Sequence, residues 1–462
     1  METPLYTALT DYQKKSTHPF IRPGIKINSF LKYNLYDLDF TELPDTDSLF
    51  EAEGCILKAE QTAAKAFSTL LCVLSAGGCT MCIQGMLRLA APSGGKLVCG
   101  RIIHRSAVNT MALLGIDPVW IMPEPNAGEG LAGRITPEGV RRALEKNPEA
   151  KGVYLTSPDY YGVICDIQGI ACVCKKYGVP LLVDNAHGAH LGYLSENLHP
   201  IHLGASMAAC SAHKTLPVLT GGAWLQINDS RYLEGVKEAM SLFGSTSPSY
   251  LILQSLDACN RLLSTDYPAR LQECCDRLAA LRARLNALAA AQGTALPLAL
   301  DSPAREPMKL TLDAAALGLT GQALADHLRQ NGMECEYADP RYLVLMFTPE
   351  NPAEDMARLE AALAELCARG IPPAEPPAEH REAFCALARQ AEPRLTVRQA
   401  VFAPQETIPA GSALGRVCAL PTVSCPPAIP IVVSGEVIGP AALELFAAYG
   451  VETVSVVKPE KI

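Results

Sequence analysis

Between residues 61 and 265 the sequence alternates between short apolar runs and helical stretches, and this alternation restricts the possible folds most. The apolar runs have the length of strands and lie at 96–98, 118–121, 152–155, 180–183 and 223–227. Strands that alternate with helices predict a parallel, doubly wound sheet. In such an open sheet, ligands bind beyond the carboxyl ends of the strands. The sequence therefore predicts an α/β domain with its functional site along that edge.

The rest of the chain is predicted to divide into three parts around this large domain, 61–265. Residues 1–60 have mixed composition and are expected to form an N-terminal arm. Residues 266–371 contain a helical connector followed by a βαβα order, which predicts a smaller α+β domain. A semi-rigid, proline-rich linker at 372–377 then leads to a C-terminal domain at 378–462.

Composition limits the classes of function. The 462 residues include 39 Lys and Arg against 48 Asp and Glu, a net charge of −9 without a basic stripe. No nucleic-acid partner is therefore expected. Seventeen cysteines without framework spacing predict reduced thiols in a cytoplasmic protein. The uncharged stretch 66–87 is long enough to cross a bilayer, but its glycines and polar residues favour a strand, a turn and a helix start, so no membrane span is expected.

Two residues stand out chemically, Asp184 and Lys214. Asp184 directly follows the apolar run 181–183, and Lys214 follows the small-residue run 204–210. Taken alone, the aspartate is typical of a helix cap and the lysine of a strand end that reaches solvent. Together they permit a pyridoxal-phosphate site, in which a lysine holds the cofactor as a Schiff base and a carboxylate keeps the pyridine nitrogen protonated.

Such a site also needs a group that stacks on the ring and a cradle for the phosphate. His104 follows the strand-like run 97–99 and can stack on the ring. Hydroxyl groups and the N–H groups of a helix start can hold phosphate, and the candidates are Ser211, Gly77, Gly78, Cys79 and Thr80. The pair Cys79 and Cys82 has no second pair or histidine at short spacing, so no metal site is expected.

These motifs resemble the Orn/Lys/Arg decarboxylase family of fold-type I pyridoxal-phosphate enzymes, in its short bacterial form. The most specific matches are Asp184 with the run 186–190, and the His-Lys-Thr-Leu-Pro motif at 213–217. The motif Ser-Thr-Ser-Pro-Ser-Tyr at 245–250 also matches closely, and the tail resembles the family's C-terminal domain. The resemblance implies a fold-type I large domain with a mostly parallel sheet, a smaller α+β domain and a C-terminal domain.

The resemblance also implies roles for the matched residues. The implied catalytic residues are Lys214, Asp184, His213 and His104. Lys214 would carry the cofactor covalently, Asp184 would pair with its pyridine nitrogen, and His104 would stack on one ring face. His213, next to the lysine, would lie near the phosphate or the reacting carbon.

The implied cofactor-binding set is larger, and its members are Lys214, Asp184, Ala186, His187, His104, Ser211, Gly77, Gly78, Cys79, Thr80, Ser245 and Thr246. Ala186 would pack on the second ring face, and Ser211 would bind the phosphate. Ser245 and Thr246 would reach the cofactor of a neighbouring subunit. The resemblance therefore implies a homodimer, or a higher homo-oligomer, with shared active sites.

The implied reaction is α-decarboxylation of arginine, lysine or ornithine to the corresponding amine. Two other interpretations stay open: another fold-type I reaction, such as transamination or β-elimination, and a catalytically impaired paralogue with a regulatory or assembly role. The second arises because the family's phosphate turn, Asn-Gly-Ser-Thr-x-Gly, is Ser-Ala-Gly-Gly-Cys-Thr at 75–80, and because Ile21 and Ile25 replace two histidines of its opening motif. Losing a charge-assisted hydrogen bond costs ~1.5–3 kcal/mol, which corresponds to ~10–100-fold in cofactor affinity.

Overall fold

The computed structural model describes residues 18–19, 38–124, 133–294, 296–369, 383, 386–387, 393–425 and 429–459. The chain forms two compact units. The first contains residues 1–28, 273–301 and 307–378, and the second contains 29–272, 302–306 and 379–462. Most of the predicted arm and the linker at 372–377 lie outside the described residues, and the division into an arm and three domains stays a prediction.

A seven-stranded sheet lies at the centre of the second unit. Its strands are β1 (Leu71–Ser75), β2 (Gly95–Gly100), β3 (Ile116–Ile121), β4 (Val153–Thr156), β5 (Leu181–Asp184), β6 (Met207–Cys210) and β7 (Ala223–Ile227). Their order across the sheet is β1-β7-β6-β5-β4-β2-β3. Only β7 runs antiparallel to its neighbours β1 and β6. The predicted α/β class with a mostly parallel sheet is confirmed.

Helices alternate with these strands along the chain. They are α1 (Cys55–Ala66), α2 (Gly78–Ala90), α3 (Arg105–Leu114), α4 (Pro137–Lys146), α5 (Ile167–Lys176), α6 (Ala212–Thr215), α7 (Val236–Ser241) and α8 (Tyr250–Leu263). Local sequence explains their ends. At α5, for example, the Asp166 side chain accepts the Gly169 N–H, and Gly178 follows with a φ of 70°.

The two faces of the sheet pack against separate apolar clusters. Along β5, Leu182 belongs to the cluster that includes α2 and α3, whereas Leu181 and Val183 belong to the cluster that includes α4 and α5. Because side chains alternate along a strand, Asp184 shares its face with Leu182. The sheet therefore places the Asp184 carboxylate on the side of α2 and α3, at the carboxyl edge.

The first unit has an α+β arrangement. Three antiparallel strands lie in the order Tyr337–Ala338, Tyr342–Met346, Lys309–Asp313. Helices Gly321–Gln330 and Ala353–Ala368 belong to the same unit, and so does most of the long helix Tyr267–Ala291. This unit also contains a 3-10 helix, Ala314–Leu317, and a parallel pair of two-residue strands, His18–Pro19 and Met333–Glu334.

The C-terminal segment, residues 393–459, belongs to the second unit. Its antiparallel strand pairs are Gln405–Pro409 with Thr453–Val457 and Thr422–Cys425 with Ile429–Val433, and its helices are Val397–Phe402 and Pro440–Ala448. Among the described residues no helix has both the length and the apolar character that a membrane span requires. The uncharged stretch 66–87 instead contains β1 and the first turns of α2.

Candidate active site

Asp184 ends β5 and is 2% exposed. Its Oδ1 accepts the Ala186 N–H at 3.1 Å and lies 3.9 Å from the Cys79 thiol, and its Oδ2 accepts the Tyr154 hydroxyl at 3.3 Å. Burial raises the pKa of Cys79 and of Tyr154, so both groups stay protonated and can donate. No cationic side chain of the described chain forms an ion pair with Asp184.

Lys214 lies on the single turn of α6, which follows β6 directly. Its half-buried side chain brings Nζ to 3.2 Å from Nε2 of His187, three residues beyond Asp184 in sequence. The Tyr160 ring meets the His187 ring edge-on, with a centroid separation of 5.0 Å. The structure therefore brings the lysine amine to the same strand-end loop that carries the buried carboxylate.

His104 is the N-cap of α3, where Nδ1 accepts the Ser106 N–H at 3.2 Å and lies 2.8 Å from the Ser106 hydroxyl. Desolvation by the surrounding residues lowers the pKa of His104, although much of its side chain is exposed. The charge of Asp184 opposes this shift and that of Lys214 adds to it. His104 is thus within electrostatic range of both residues, and its surroundings disfavour the charged imidazolium.

Two further predicted residues flank the lysine on α6. Nδ1 of His213 lies 2.9 Å from the Gly222 carbonyl oxygen, which can only accept, so Nδ1 carries the proton. Ser211 is the N-cap of α6 and is 1% exposed, but its hydroxyl caps no backbone N–H of the helix. The Ser211 hydroxyl is therefore available for another acceptor.

The predicted phosphate turn forms the start of α2, with Gly77 as N-cap. The Gly77 N–H bonds the Ser75 hydroxyl at 3.2 Å, and the Gly78 N–H bonds the Gly221 carbonyl at 2.7 Å. Gly78 has a φ of 69°, a conformation that favours glycine. Cys79 and Thr80 occupy the first helical turn, where backbone N–H groups have no intrahelical partner. Those two groups remain as the backbone donors of the turn.

Ser245 and Thr246 lie on an exposed segment between α7 and α8. The Ser245 hydroxyl accepts the Ser247 N–H at 3.0 Å. Ser245 also lines a cavity of about 330 Å³ together with Gly77, Thr80 and Gln84. The structure thus brings Ser245 next to the predicted phosphate turn of its own chain.

The sequence analysis missed two buried side chains that support the site. Tyr154 is fully buried on β4 and donates to Asp184, and Asn185 is fully buried beside it. The Asn185 amide donates to the Gly188 carbonyl at 3.0 Å and contacts the Cys210 sulfur at 3.2 Å. For Tyr154 a signal existed, because its strand is otherwise apolar and parallel pairing puts it opposite Leu182, on the face of Asp184.

This donor set fits pyridoxal phosphate. A buried carboxylate without a cation is unfavourable, because desolvation is not offset by a paired charge. A protonated pyridine nitrogen would supply that cation at Asp184, while Lys214 offers the primary amine for covalent attachment. The phosphate end offers the Ser211 hydroxyl and the helix-start N–H groups of Cys79 and Thr80.

Comparisons with known proteins give the same picture. The family described as "Orn/Lys/Arg decarboxylase, major domain" matches residues 3–355. The chain is 31% identical to the arginine decarboxylase of Bacillus subtilis over 95% of this chain and 91% of that protein. It is 25% identical to the constitutive lysine decarboxylase of Escherichia coli, over 56% of this chain and 40% of that protein. The lysine decarboxylase of Francisella novicida shares the fold, with a TM-score of 0.74 and 15% identity over 89% of this chain and 73% of that structure.

Proposed function

Because the chain belongs to the Orn/Lys/Arg decarboxylase family, we propose that it is a pyridoxal-phosphate-dependent decarboxylase of arginine, which it converts to agmatine. Two relatives named arginine decarboxylase, 31% and 29% identical over 95% and 94% of the chain, support this substrate over lysine and ornithine. The observation that carries the proposal is the Lys214 amine in the strand-end loop of a buried Asp184 that has no counter-cation among the described residues.

Bound pyridoxal phosphate supplies an electron sink for the negative charge that remains at the α-carbon when carbon dioxide departs. Asp184 would hold the proton on the pyridine nitrogen, and the Tyr154 hydroxyl and Ala186 N–H keep its carboxylate in place. His104 would pack against the ring, and its lowered pKa disfavours a second positive charge beside the protonated pyridine.

The proton that replaces carbon dioxide at the α-carbon comes from Lys214 or His213. Lys214 Nζ is held 3.2 Å from His187 Nε2, a partner that can return a proton to it. His213 is fixed by its Nδ1–H bond to the Gly222 carbonyl. Replacing each residue separately, His213 by Gln and Lys214 by Ala, distinguishes the two donors in single-turnover measurements.

The test is a titration of the purified protein with pyridoxal phosphate, followed by arginine, lysine and ornithine in turn. We expect an absorbance band from the bound cofactor, and borohydride should link that cofactor covalently to Lys214. Arginine should release carbon dioxide and agmatine, with a higher kcat/KM than lysine or ornithine. If cadaverine or putrescine is the preferred product, arginine is not the substrate, but the protein is still a decarboxylase. A keto acid in place of an amine would instead support a transaminase.

The altered phosphate turn favours one second candidate, a catalytically impaired paralogue with a regulatory or assembly role. Gly77 and Gly78 stand where the family has hydroxyl side chains, and their N–H groups bond within the protein. In the same titration, no band at saturating cofactor would support this candidate and overturn the decarboxylase.

We further propose a cytoplasmic homodimer in which Ser245 and Thr246 serve the partner's site. Fifteen of the described cysteines are free thiols, which supports a reducing compartment. Mixing Lys214→Ala chains with Ser245→Ala/Thr246→Ala chains tests the shared site, because each mixed dimer would regain one intact site. Mixtures no more active than their components would contradict sharing.

A further inference from the structure

Arg101 and Glu436, 335 residues apart in sequence, form a buried ion pair within the second unit. Each side chain is 2% exposed. Nη1 donates to Glu436 Oε1 at 2.5 Å and Nη2 donates to Oε2 at 2.8 Å, so the pair is bidentate. Nη2 also donates to the Ile431 carbonyl at 3.1 Å. Arg101 is therefore held by two points of the C-terminal segment.

Arg101 directly follows β2 and lies at the carboxyl edge of the sheet. Its N–H bonds the Ile121 carbonyl at 2.8 Å, and its guanidinium carbon lies 5.1 Å from the centre of the Trp120 ring. Residues 102 and 103 are buried, and His104 then begins α3 as its N-cap. The segment 101–104 thus connects the ion pair to the imidazole proposed to pack on the cofactor ring.

The Glu436 carboxylate is fixed by its own turn. Oε2 accepts the Val433 N–H at 2.9 Å, and the Glu436 N–H bonds the Val433 carbonyl at 3.1 Å. The Glu436 carbonyl accepts the Cys418 N–H at 2.9 Å. Gly435 has a φ of 91°, and a Cβ there would lie 2.2 Å from the Leu395 carbonyl oxygen. The turn has one well-determined conformation.

A buried ion pair of this kind contributes little to folding stability by itself. Taking two charges out of water costs about as much as their attraction returns, and apolar residues of the same volume are often as good or better. A bidentate pair does fix direction, because the planar guanidinium and the carboxylate must lie in one plane. The main effect of this buried pair is therefore to fix the orientation of the segment that follows β2.

We propose that Glu436, acting through Arg101, is a positioning residue for His104, so that the C-terminal segment controls the cofactor face of the site. The inference rests on the proposed function, because it needs His104 to contact the cofactor. It assigns to residues 431–436 a part in cofactor binding.

The test compares the full-length protein with Glu436→Gln, which keeps the shape and removes the charge. We expect the Kd for pyridoxal phosphate to rise about tenfold and the circular dichroism of the bound cofactor to fall. In a His104→Ala background the same change should have little further effect, because residues that act through one contact are not additive. Arg101→Lys keeps the charge without the bidentate geometry, and serves if Glu436→Gln does not fold.

Asp313→Asn is the matched control. It breaks the Arg341–Asp313 pair of the first unit, in which the aspartate is also 2% exposed and which includes no site residue. It should lower the melting temperature without changing the cofactor dichroism. Normal cofactor binding by Glu436→Gln, or effects that add to those of His104→Ala, would overturn the inference alone. Failure of the unmodified protein to bind cofactor would overturn the proposed function as well.

Discussion

The candidate site has two ends that are built in different ways. The ring end, which is proposed to hold the pyridine ring of the cofactor, consists of side chains. They are Asp184, Lys214 and His104, and neighbours such as Tyr154 hold them in place. The phosphate end consists mainly of backbone, at the start of α2 and beside Ser211. A side-chain function is lost when the residue changes, whereas helix-start N–H groups persist whatever the side chain is. A lysine and an aspartate that match the family's motif can therefore stand beside a turn with two glycines.

The contrast predicts that the ring end determines the rate of turnover as well as part of the cofactor affinity, and that the phosphate end determines cofactor affinity alone. Changes at the ring end should lower the rate of turnover. Changes at the phosphate end should shift the cofactor affinity and leave the rate at saturation nearly constant.

The largest effect is expected for Lys214→Ala, which removes the amine that attaches the cofactor. Decarboxylation should fall roughly 10³-fold or more, because both covalent attachment and a proton donor are lost. Borohydride treatment followed by mass spectrometry should then find no labelled peptide. Lys146→Ala, at an exposed position of α4, is the control and should behave like the unmodified protein. Substantial activity in Lys214→Ala would exclude the proposed attachment site.

Much of the fold could be predicted because its signals are local. Apolar runs predicted six of the seven strands of the sheet to within a few residues and missed β6, whose residues are small. Glycine and proline marked the turn at Gly178. The predicted Orn/Lys/Arg decarboxylase family and the enzyme class of amino-acid decarboxylases are confirmed. The substrate, the site residues and the oligomer stay proposals.

The parts of the fold and of the candidate site that could not be predicted depend on contacts between distant parts of the chain. The Arg101–Glu436 pair joins residues whose local sequences carry no sign of each other. Likewise, nothing near Gly78 in sequence indicates that the Gly221 carbonyl occupies its N–H. Local periodicity reports which residues are buried. It does not report which buried polar groups meet, because that depends on the register of the whole sheet.

Acid should lower the stability of the fold around the ring end, because buried polar groups hold that end in place. The Cys210 sulfur contacts both Asn185 and Nε2 of His199, and burial, aided by His190 and His202, lowers the pKa of His199 from 6.5 to about 3. Unfolding lets His199 take up a proton, so its contribution to stability is complete above pH 6.5 and is lost as pH falls towards 3. The loss should reach roughly 3–5 kcal/mol.

Urea denaturation at pH 7, 5.5 and 4.5 measures this dependence. The variant His199→Asn should be less stable at pH 7 but should lose less stability between pH 7 and 4.5. The exposed His202 provides the comparison, since it is the smallest of the three causes of the His199 shift. His202→Asn should therefore keep most of the loss of stability that the unmodified protein shows between pH 7 and 4.5. If the free energy of unfolding falls equally with pH in all three proteins, His199 is not the source of the acid sensitivity.

Tyr154→Phe should have a smaller effect on the ring end. The phenol is fully buried and donates to Asp184 Oδ2 at 3.3 Å, so phenylalanine fits the same space and removes one donor. We expect kcat to fall about tenfold, as for loss of one hydrogen bond to a charged group. Tyr193→Phe is the matched control, because the buried Tyr193 hydroxyl bonds no described group. If both variants keep full activity, Tyr154 does not support Asp184.

The smallest effect is a gain at the phosphate end. Gly77→Ser adds a hydroxyl where the family has one, and Gly77 has a φ of −97°, which serine adopts freely. The new Cβ would lie 3.0 Å from Met81 Cβ and 3.1 Å from its sulfur, so the flexible methionine must move by a few tenths of an ångström. Gly77→Ala carries the same steric change without the hydroxyl. Serine should therefore bind pyridoxal phosphate up to about tenfold more tightly than alanine, with equal kcat at saturating cofactor. If the two variants bind equally, the phosphate does not lie within reach of this turn, and the contrast between the two ends of the site would have to be abandoned.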